Sequence, residues 1–187
     1  MPSAPENLHE LVWDLFSKRI SKDDFPAAIH ATLENMPSVI SQLFAQGIQE
    51  KNPELIGSAS ILMYTYGIDG IYLEHLNALA NETWHRNHED IVFALGKIKD
   101  PSSVEPLSKS ALVQHPYLEN DDAYALGSKC IYALKNIQTP EAIHVLGDLA
   151  RNENEILRTT AIGRLEDIAK KGESEAARTL AQTLLDR

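Results

Sequence analysis

Two stretches of this sequence repeat one another without a gap. The first, IVFALGKIKDPSSVEPL, starts at Ile91, and the second, CIYALKNIQTPEAIHVL, starts 39 positions later at Cys130. Each has an apolar pattern with helical spacing, a turn that contains Pro, and a second apolar pattern. Pro is tolerated in the first turn of a helix, where its missing N–H costs no hydrogen bond. Each stretch is therefore predicted to form a helix, a short turn and a second helix.

Further copies of this unit lie on both sides. TTAIGRLEDI matches the second stretch at an offset of 28, and there Gly172 is predicted to stop the helix and Ser174 to cap the next one. SASILMYTYGIDGIYLEHLNALA aligns with the first stretch at an offset of 31, with Asp69 in its turn. Gly96 and Gly163 share one repeat position, which predicts a close helix approach at both.

The region before these copies has a weaker pattern. Residues 5–19 have apolar side chains at helical spacing and are predicted to form a single N-terminal helix. Residues 22–50 are predicted to form a hairpin whose second helix opens at Pro37. The pattern leaves open whether residues 1–50 continue the repeat or cap it.

Repeated helical hairpins are typical of α-solenoids, in which each unit buries its apolar face on its neighbours. FALGKIKDPSSVEPL and YALKNIQTPEAIHVL resemble HEAT-like repeats, in particular the short variety seen in phycobilin-lyase-type proteins. The resemblance is most specific over 88–185 and weaker over 53–81. It implies an all-α fold, an α-α superhelix (solenoid) of about five HEAT-like helical hairpins with an N-terminal helix. The expected single domain spans 1–187, with an N-terminal helix and cap hairpin over 5–50 and repeats over 53–185.

The charge of the chain narrows the choice of partner. The formal net charge is −10 at pH 7. A surface of that charge repels a phosphate backbone, which argues against nucleic-acid binding, and it attracts a basic protein. The start MPSAPENLHELVW lacks the basic and apolar regions of a signal peptide, and no stretch approaches the roughly 18 apolar residues of a membrane span. We therefore expect a cytoplasmic protein with no membrane partner.

A His-Glu pair at the start of one repeat raises the question of a metal site. NHEDIVFALGKIKDPSSVEPL resembles a repeat of deoxyhypusine hydroxylase, a HEAT-like protein that holds two irons with such pairs. A di-iron site needs equivalent pairs in several repeats, and His88-Glu89 has none, so this activity is rejected. A mononuclear site that includes His85 stays open, beside a polar helix start that complements the helix dipole. The equivalent pairs in the other repeats are Gly57-Ser58, Gly127-Ser128 and Glu155-Ile156.

The sequence contains no recognisable catalytic constellation. It has no GxSxG motif, no glycine-rich phosphate loop and no CxxC motif, and its single cysteine, Cys130, lies in an apolar helical pattern that predicts burial. The chain is therefore expected not to be an enzyme and to need no cofactor. The resemblance leaves one enzymatic alternative, tetrapyrrole handling of the phycobilin-lyase type. Aromatic side chains at helical spacing belong more often to the core, but four could line a chromophore pocket: Tyr64, Tyr66, Tyr72 and Trp84.

One repeat unit is longer than its neighbours because of the segment QHPYLENDDAYALGSK. It contains Tyr117 and an acidic run of Glu119, Asp121 and Asp122. We interpret it as a contact loop, in which an aromatic anchor lies beside acids that attract a basic partner. A solvated loop between repeats is the alternative.

The second helices of successive units give another candidate surface. Glu74, Glu105 and His144 share one repeat register, and Asp148 follows His144 by one turn. In a solenoid such positions stack into a stripe, which predicts an acidic protein-binding surface. An ordinary charged exterior explains each single residue as well.

These observations favour a non-enzymatic protein that binds another, basic protein. The most specific hypothesis is a bacterial immunity protein that binds and neutralises a basic toxin domain. The alternatives are an adaptor or assembly factor that uses the same surface, and the phycobilin-lyase-type enzyme.

Overall fold

The computed structural model describes residues 7–118 and 124–187, and in these residues it contains helices and no strand. Short 3₁₀ turns precede α3, α5 and α7. Among the described residues, no helix is both long and apolar enough to cross a membrane. The helices are α1 (Leu8–Phe16), α2 (Phe25–Ala28), α3 (Met36–Glu50), α4 (Pro53–Tyr66), α5 (Leu73–Leu79), α6 (His88–Ile98), α7 (Val104–Ser110), α8 (Ala125–Ile137), α9 (Pro140–Leu149), α10 (Glu155–Lys171) and α11 (Glu175–Leu185).

The chain separates into two compact units, Met1–Asn87 and His88–Arg187. In the first, α3 packs on α4 and α5, and α1 packs on α4. The predicted N-terminal helix is present but ends at Phe16. The predicted helix that opens at Pro37 is present as α3, with this proline in its first turn, whereas the helix before it is reduced to the four residues of α2.

The described residues of the second unit form three helical hairpins, α6–α7, α8–α9 and α10–α11. Its first helices contact one another in the order α6, α8, α10, and its second helices in the order α7, α9, α11. The two stretches that repeat at an offset of 39 form these helices and turns as predicted. Their matched apolar positions lie in the core, as the following side chains show: Ala94 and Ala133, Leu95 and Leu134, Val104 and Ile143, Leu107 and Leu146.

The turn of each hairpin begins at a short polar residue that caps either the second helix or the 3₁₀ turn leading into it. The Asp69 carboxylate accepts a hydrogen bond from the Ile71 N–H at 2.9 Å. The Thr139 hydroxyl accepts one from the Ala142 N–H at 3.2 Å. The predicted cap at Ser174 is confirmed, and α10 ends at Gly172 as expected. Because these caps satisfy backbone donors that have no partner within the helix, they set where each second helix begins.

The two glycines of the shared repeat position differ in their surroundings. A Cβ atom on Gly96 would lie 2.9 Å from the Cα and the Cβ of Ala133, so α6 and α8 approach one another closely there. A Cβ atom on Gly163 would meet nothing within 4 Å. The predicted close approach is therefore confirmed at Gly96 and wrong at Gly163, where no described residue comes that close.

Candidate functional site

The predicted polar residues of the second helices are exposed in the second unit. Glu105 lies on α7, and His144 and Asp148 lie one turn apart on α9. Because α7 and α9 are in contact, these side chains belong to one surface, which we call the second-helix surface. Glu74 is exposed on α5 of the first unit. That these residues bind a partner stays a prediction.

Basic neighbours offset part of the acidic charge on the second-helix surface. The Lys109 ammonium lies 2.7 Å from the Glu105 carboxylate, and this hydrogen bond and charge lower the pKa of Glu105. Arg151 approaches Asp148 at 4.0 Å. Exposed pairs of this kind contribute little to folding. The charged groups of these pairs can therefore leave each other and form new ion pairs with a bound protein at a small cost in free energy.

The predicted contact loop is described only up to Leu118. Glu119, Asp121 and Asp122 lie outside the described residues, so their part in the prediction is not tested. Tyr117 is half-buried, and its hydroxyl lies 2.7 Å from the Nδ1 atom of His88. The tyrosine that we expected as an exposed anchor therefore contacts the start of α6.

Tyr117 is part of an aromatic cluster with two buried histidines. The rings of His88 and His115 are stacked, with 3.7 Å between their centroids and 27° between their planes. Tyr117 lies 5.7 Å from each ring. The Nε2 atom of His115 is buried and has no hydrogen-bond partner among the described residues. Burial lowers the pKa of His115, so this imidazole is neutral at pH 7.

The two candidate metal ligands at the start of α6 lie in different surroundings. The His88 side chain is buried, whereas the Glu89 carboxylate lies on the surface, 2.9 Å from the Lys129 ammonium. The two side chains therefore point in different directions. His88 belongs to the buried cluster of rings, and Glu89 forms an ion pair at the surface. No group of three or more His, Cys, Asp or Glu residues in 7–118 and 124–187 is arranged to hold a metal ion.

His85 belongs to the first unit and uses both ring nitrogens. Its Nδ1 atom accepts a hydrogen bond from the Asn87 N–H at 3.1 Å. Its Nε2 atom therefore carries the proton and donates to the Leu79 carbonyl at 2.9 Å. With both nitrogens engaged, the imidazole links the end of α5 to Asn87 within the first unit.

Two of the four aromatic residues that could have lined a chromophore pocket, Tyr66 and Tyr72, make contacts within the first unit. Tyr72 is fully buried with its ring 6.0 Å from that of Phe44, and burial together with the charge of Asp69 raises its pKa to about 12. The Tyr66 hydroxyl donates to the Lys22 carbonyl at 2.7 Å. The tetrapyrrole alternative stays a prediction.

Cys130 is fully buried on α8, as predicted. Burial also raises the pKa of its thiol, which keeps it protonated and unreactive.

Two features were missed in the sequence. One is the stacked pair of His88 and His115. These residues are 27 positions apart, and no local sequence pattern predicts a contact over that distance. The other is an exposed aromatic pair, Phe93 on α6 and Tyr132 on α8. These aromatics are 39 positions apart and so occupy the same place in the repeat. An aromatic residue recurring at a solvent-facing register position is a signal that was present and could have been used.

Comparison with known proteins assigns no family. No protein-family model matches the chain, and no curated protein is significantly similar to it.

Proposed function

We propose that this chain is a non-enzymatic, protein-binding repeat protein, built as an α-α superhelix (solenoid) of about five HEAT-like helical hairpins. The order of helix contacts in the second unit supports this proposal, because each hairpin packs its first and second helices on those of the next. The recurring caps support it too, since equivalent turn positions in both units hold Asp69, Asp100, Thr139 and Ser174.

The observation that carries the binding function is the second-helix surface. Its side chains stand exposed on two helices in contact, and nothing in their ion pairs is needed to hold the core together. Rigid helices that present aligned polar side chains can bind a protein without a large conformational cost. The expected partner is basic, because the chain has a net charge of −10 and long-range attraction speeds the encounter of opposite charges.

The most specific form of the proposal is a cytoplasmic bacterial immunity protein that neutralises a basic toxin domain. An immunity protein needs a tight complex and no chemistry of its own, which agrees with the buried, protonated Cys130. A basic toxin domain, such as a nuclease, displays the positive surface that an acidic inhibitor can cover. An adaptor or assembly factor would use the same surface on a non-toxic partner.

The proposal is tested by protection of cells that express a toxin domain encoded beside this gene. We expect the wild-type chain to protect and to form an equimolar complex with that domain. The double variant Glu105→Lys/Asp148→Lys should weaken the complex by at least about tenfold, mostly by slowing association at low salt. Glu166→Lys is the matched control, because Glu166 is also exposed and pairs with a lysine four residues later on its helix.

Failure of the wild-type chain to protect against any neighbouring toxin would refute the immunity role. A stable complex with a non-toxic protein, lost in the double variant but kept in the Glu166→Lys control, would assign the chain to the adaptor class instead.

A further inference from the structure

The first helices of the second unit carry a surface that the proposed function does not use. Phe93 on α6 and Tyr132 on α8 are 46% and 49% exposed. The close approach of α6 and α8 at Gly96 brings the two helices together beside these rings. Between the aromatic side chains lies a groove of about 230 Å³. It is lined by Phe93, Gly96, Lys97, Lys129, Tyr132, Ala133 and Asn136.

The charge of this groove is opposite to that of the chain. Its lining includes Lys97 and Lys129 and no carboxylate, although the chain as a whole has a net charge of −10. The Lys97 ammonium lies 5.2 Å from the centroid of the Phe93 ring. The Arg164 guanidinium lies 4.5 Å from the centroid of the Tyr132 ring. Each exposed aromatic ring thus has a cation on its face.

Only part of this positive charge is neutralised by neighbouring acids. Glu89 pairs with Lys129 at 2.9 Å, and Asp167 pairs with Arg164 at 3.2 Å. Lys97 forms no ion pair within the described part of the chain. The groove therefore keeps a positive charge beside two apolar rings, which is the combination that recognises an acidic segment with an apolar anchor.

We propose that the groove between α6 and α8 docks an acidic, amphipathic peptide segment of a partner protein. An apolar side chain of that segment inserts between Phe93 and Tyr132, and its carboxylates pair with Lys97 and, in exchange for Glu89, with Lys129. The reason for choosing an acidic segment is that its carboxylates are complementary to the lysines of the groove. A nucleic acid needs many cations along its phosphates and would find only Lys97 and Lys129 in this lining, whereas a short acidic segment needs few, so the observations favour the peptide. This surface is separate from the second-helix surface, and its partner carries the opposite charge.

The test is selection of a random-peptide display library on the immobilised full chain, with counter-selection on the Tyr132→Ala/Lys97→Glu variant. We expect the enriched peptides to be acidic and to share one apolar position. Synthetic versions should bind the wild-type chain at least about tenfold more tightly than the double variant, because an aromatic anchor and its neighbouring charge dominate such contacts. Their affinity should fall with added salt.

The matched control is the Tyr64→Ala/Lys22→Glu variant of the first unit. Tyr64 is also exposed, and the Lys22 ammonium also lies over an aromatic ring, 5.4 Å from the centroid of Tyr66. The control should bind the peptides as the wild type does, and circular dichroism should show that both variants are folded.

Three results would overturn the proposal. The first is a basic consensus among the enriched peptides. The second is the absence of any peptide whose capture depends on Tyr132 and Lys97. The third is binding of a single-stranded oligonucleotide that is lost in the Tyr132→Ala/Lys97→Glu variant and with which no peptide competes. Each outcome concerns only the groove and leaves the test of the second-helix surface unaffected.

Discussion

The His115 imidazole lies where protonation is costly. It is stacked on a second buried imidazole, that of His88, and no described residue forms a hydrogen bond with its Nε2 atom. A positive charge on His115 would lose its hydration and gain no acceptor there, and a charge on both rings would add repulsion. The His115 ring therefore packs as a neutral imidazole on the ring of His88, whose Nδ1 atom is hydrogen-bonded to the Tyr117 hydroxyl.

The stack should make folding sensitive to mild acid. Burial lowers the pKa of His115 in the folded chain below its ordinary value of 6.5. The unfolded chain then binds more protons as the pH falls below that value, so stability is full above it and decreases in the window between 6.5 and the lower folded pKa. The free energy of unfolding, measured by urea denaturation at about pH 7.5 and about pH 5.5, should fall more for the wild type than for His115→Phe. An equal fall in both proteins would contradict this role of His115.

At the scale of helices, the neighbouring helix determines whether a given repeat position is crowded or open. Gly96 and Gly163 hold the same place in the repeat, yet α6 has a neighbouring helix against its glycine, whereas no described residue comes that close to the glycine of α10. The structure therefore assigns opposite consequences to the same substitution. It also shows that a match between repeats does not reveal which helix packs against a given position.

Gly96→Ala and Gly163→Ala should change stability in opposite directions. The added methyl group at Gly96 would lie 2.9 Å from backbone and side-chain atoms of Ala133, so α6 and α8 must separate. We expect a loss of about 1–3 kcal/mol from overpacking. Gly163 has open space, and Ala in mid-helix should add about 0.5–1 kcal/mol. Urea denaturation of the two variants provides the measurement, and destabilisation of equal size in both would contradict the packing of α6 on α8.

At the scale of the whole molecule, the repeat register predicted much of the secondary structure. Apolar spacing and turn chemistry are local properties, so the hairpins of the second unit, the cap at Ser174 and the end of α10 at Gly172 could be read directly. The four-residue length of α2 could not, although its first residue, Phe25, is fully buried as an apolar side chain is expected to be.

The candidate site was predictable only in part. Register alone placed Glu105, His144 and Asp148 on exposed helix positions. It could not show that Tyr117 turns inward to His88, because that contact joins residues 29 positions apart. The groove beside Phe93 depends on how closely two helices approach, which a single sequence does not encode in any local pattern.

The most direct test of the central claim is affinity capture from host lysate with quantitative mass spectrometry, at low and at moderate salt. Three baits are compared, namely the wild type, Glu105→Lys/Asp148→Lys and the Glu166→Lys control. We expect the wild type and the control to retain one dominant basic protein at moderate salt, and the double variant to lose it. The absence of any dominant protein, or equal retention by all three baits, would contradict protein binding through the second-helix surface.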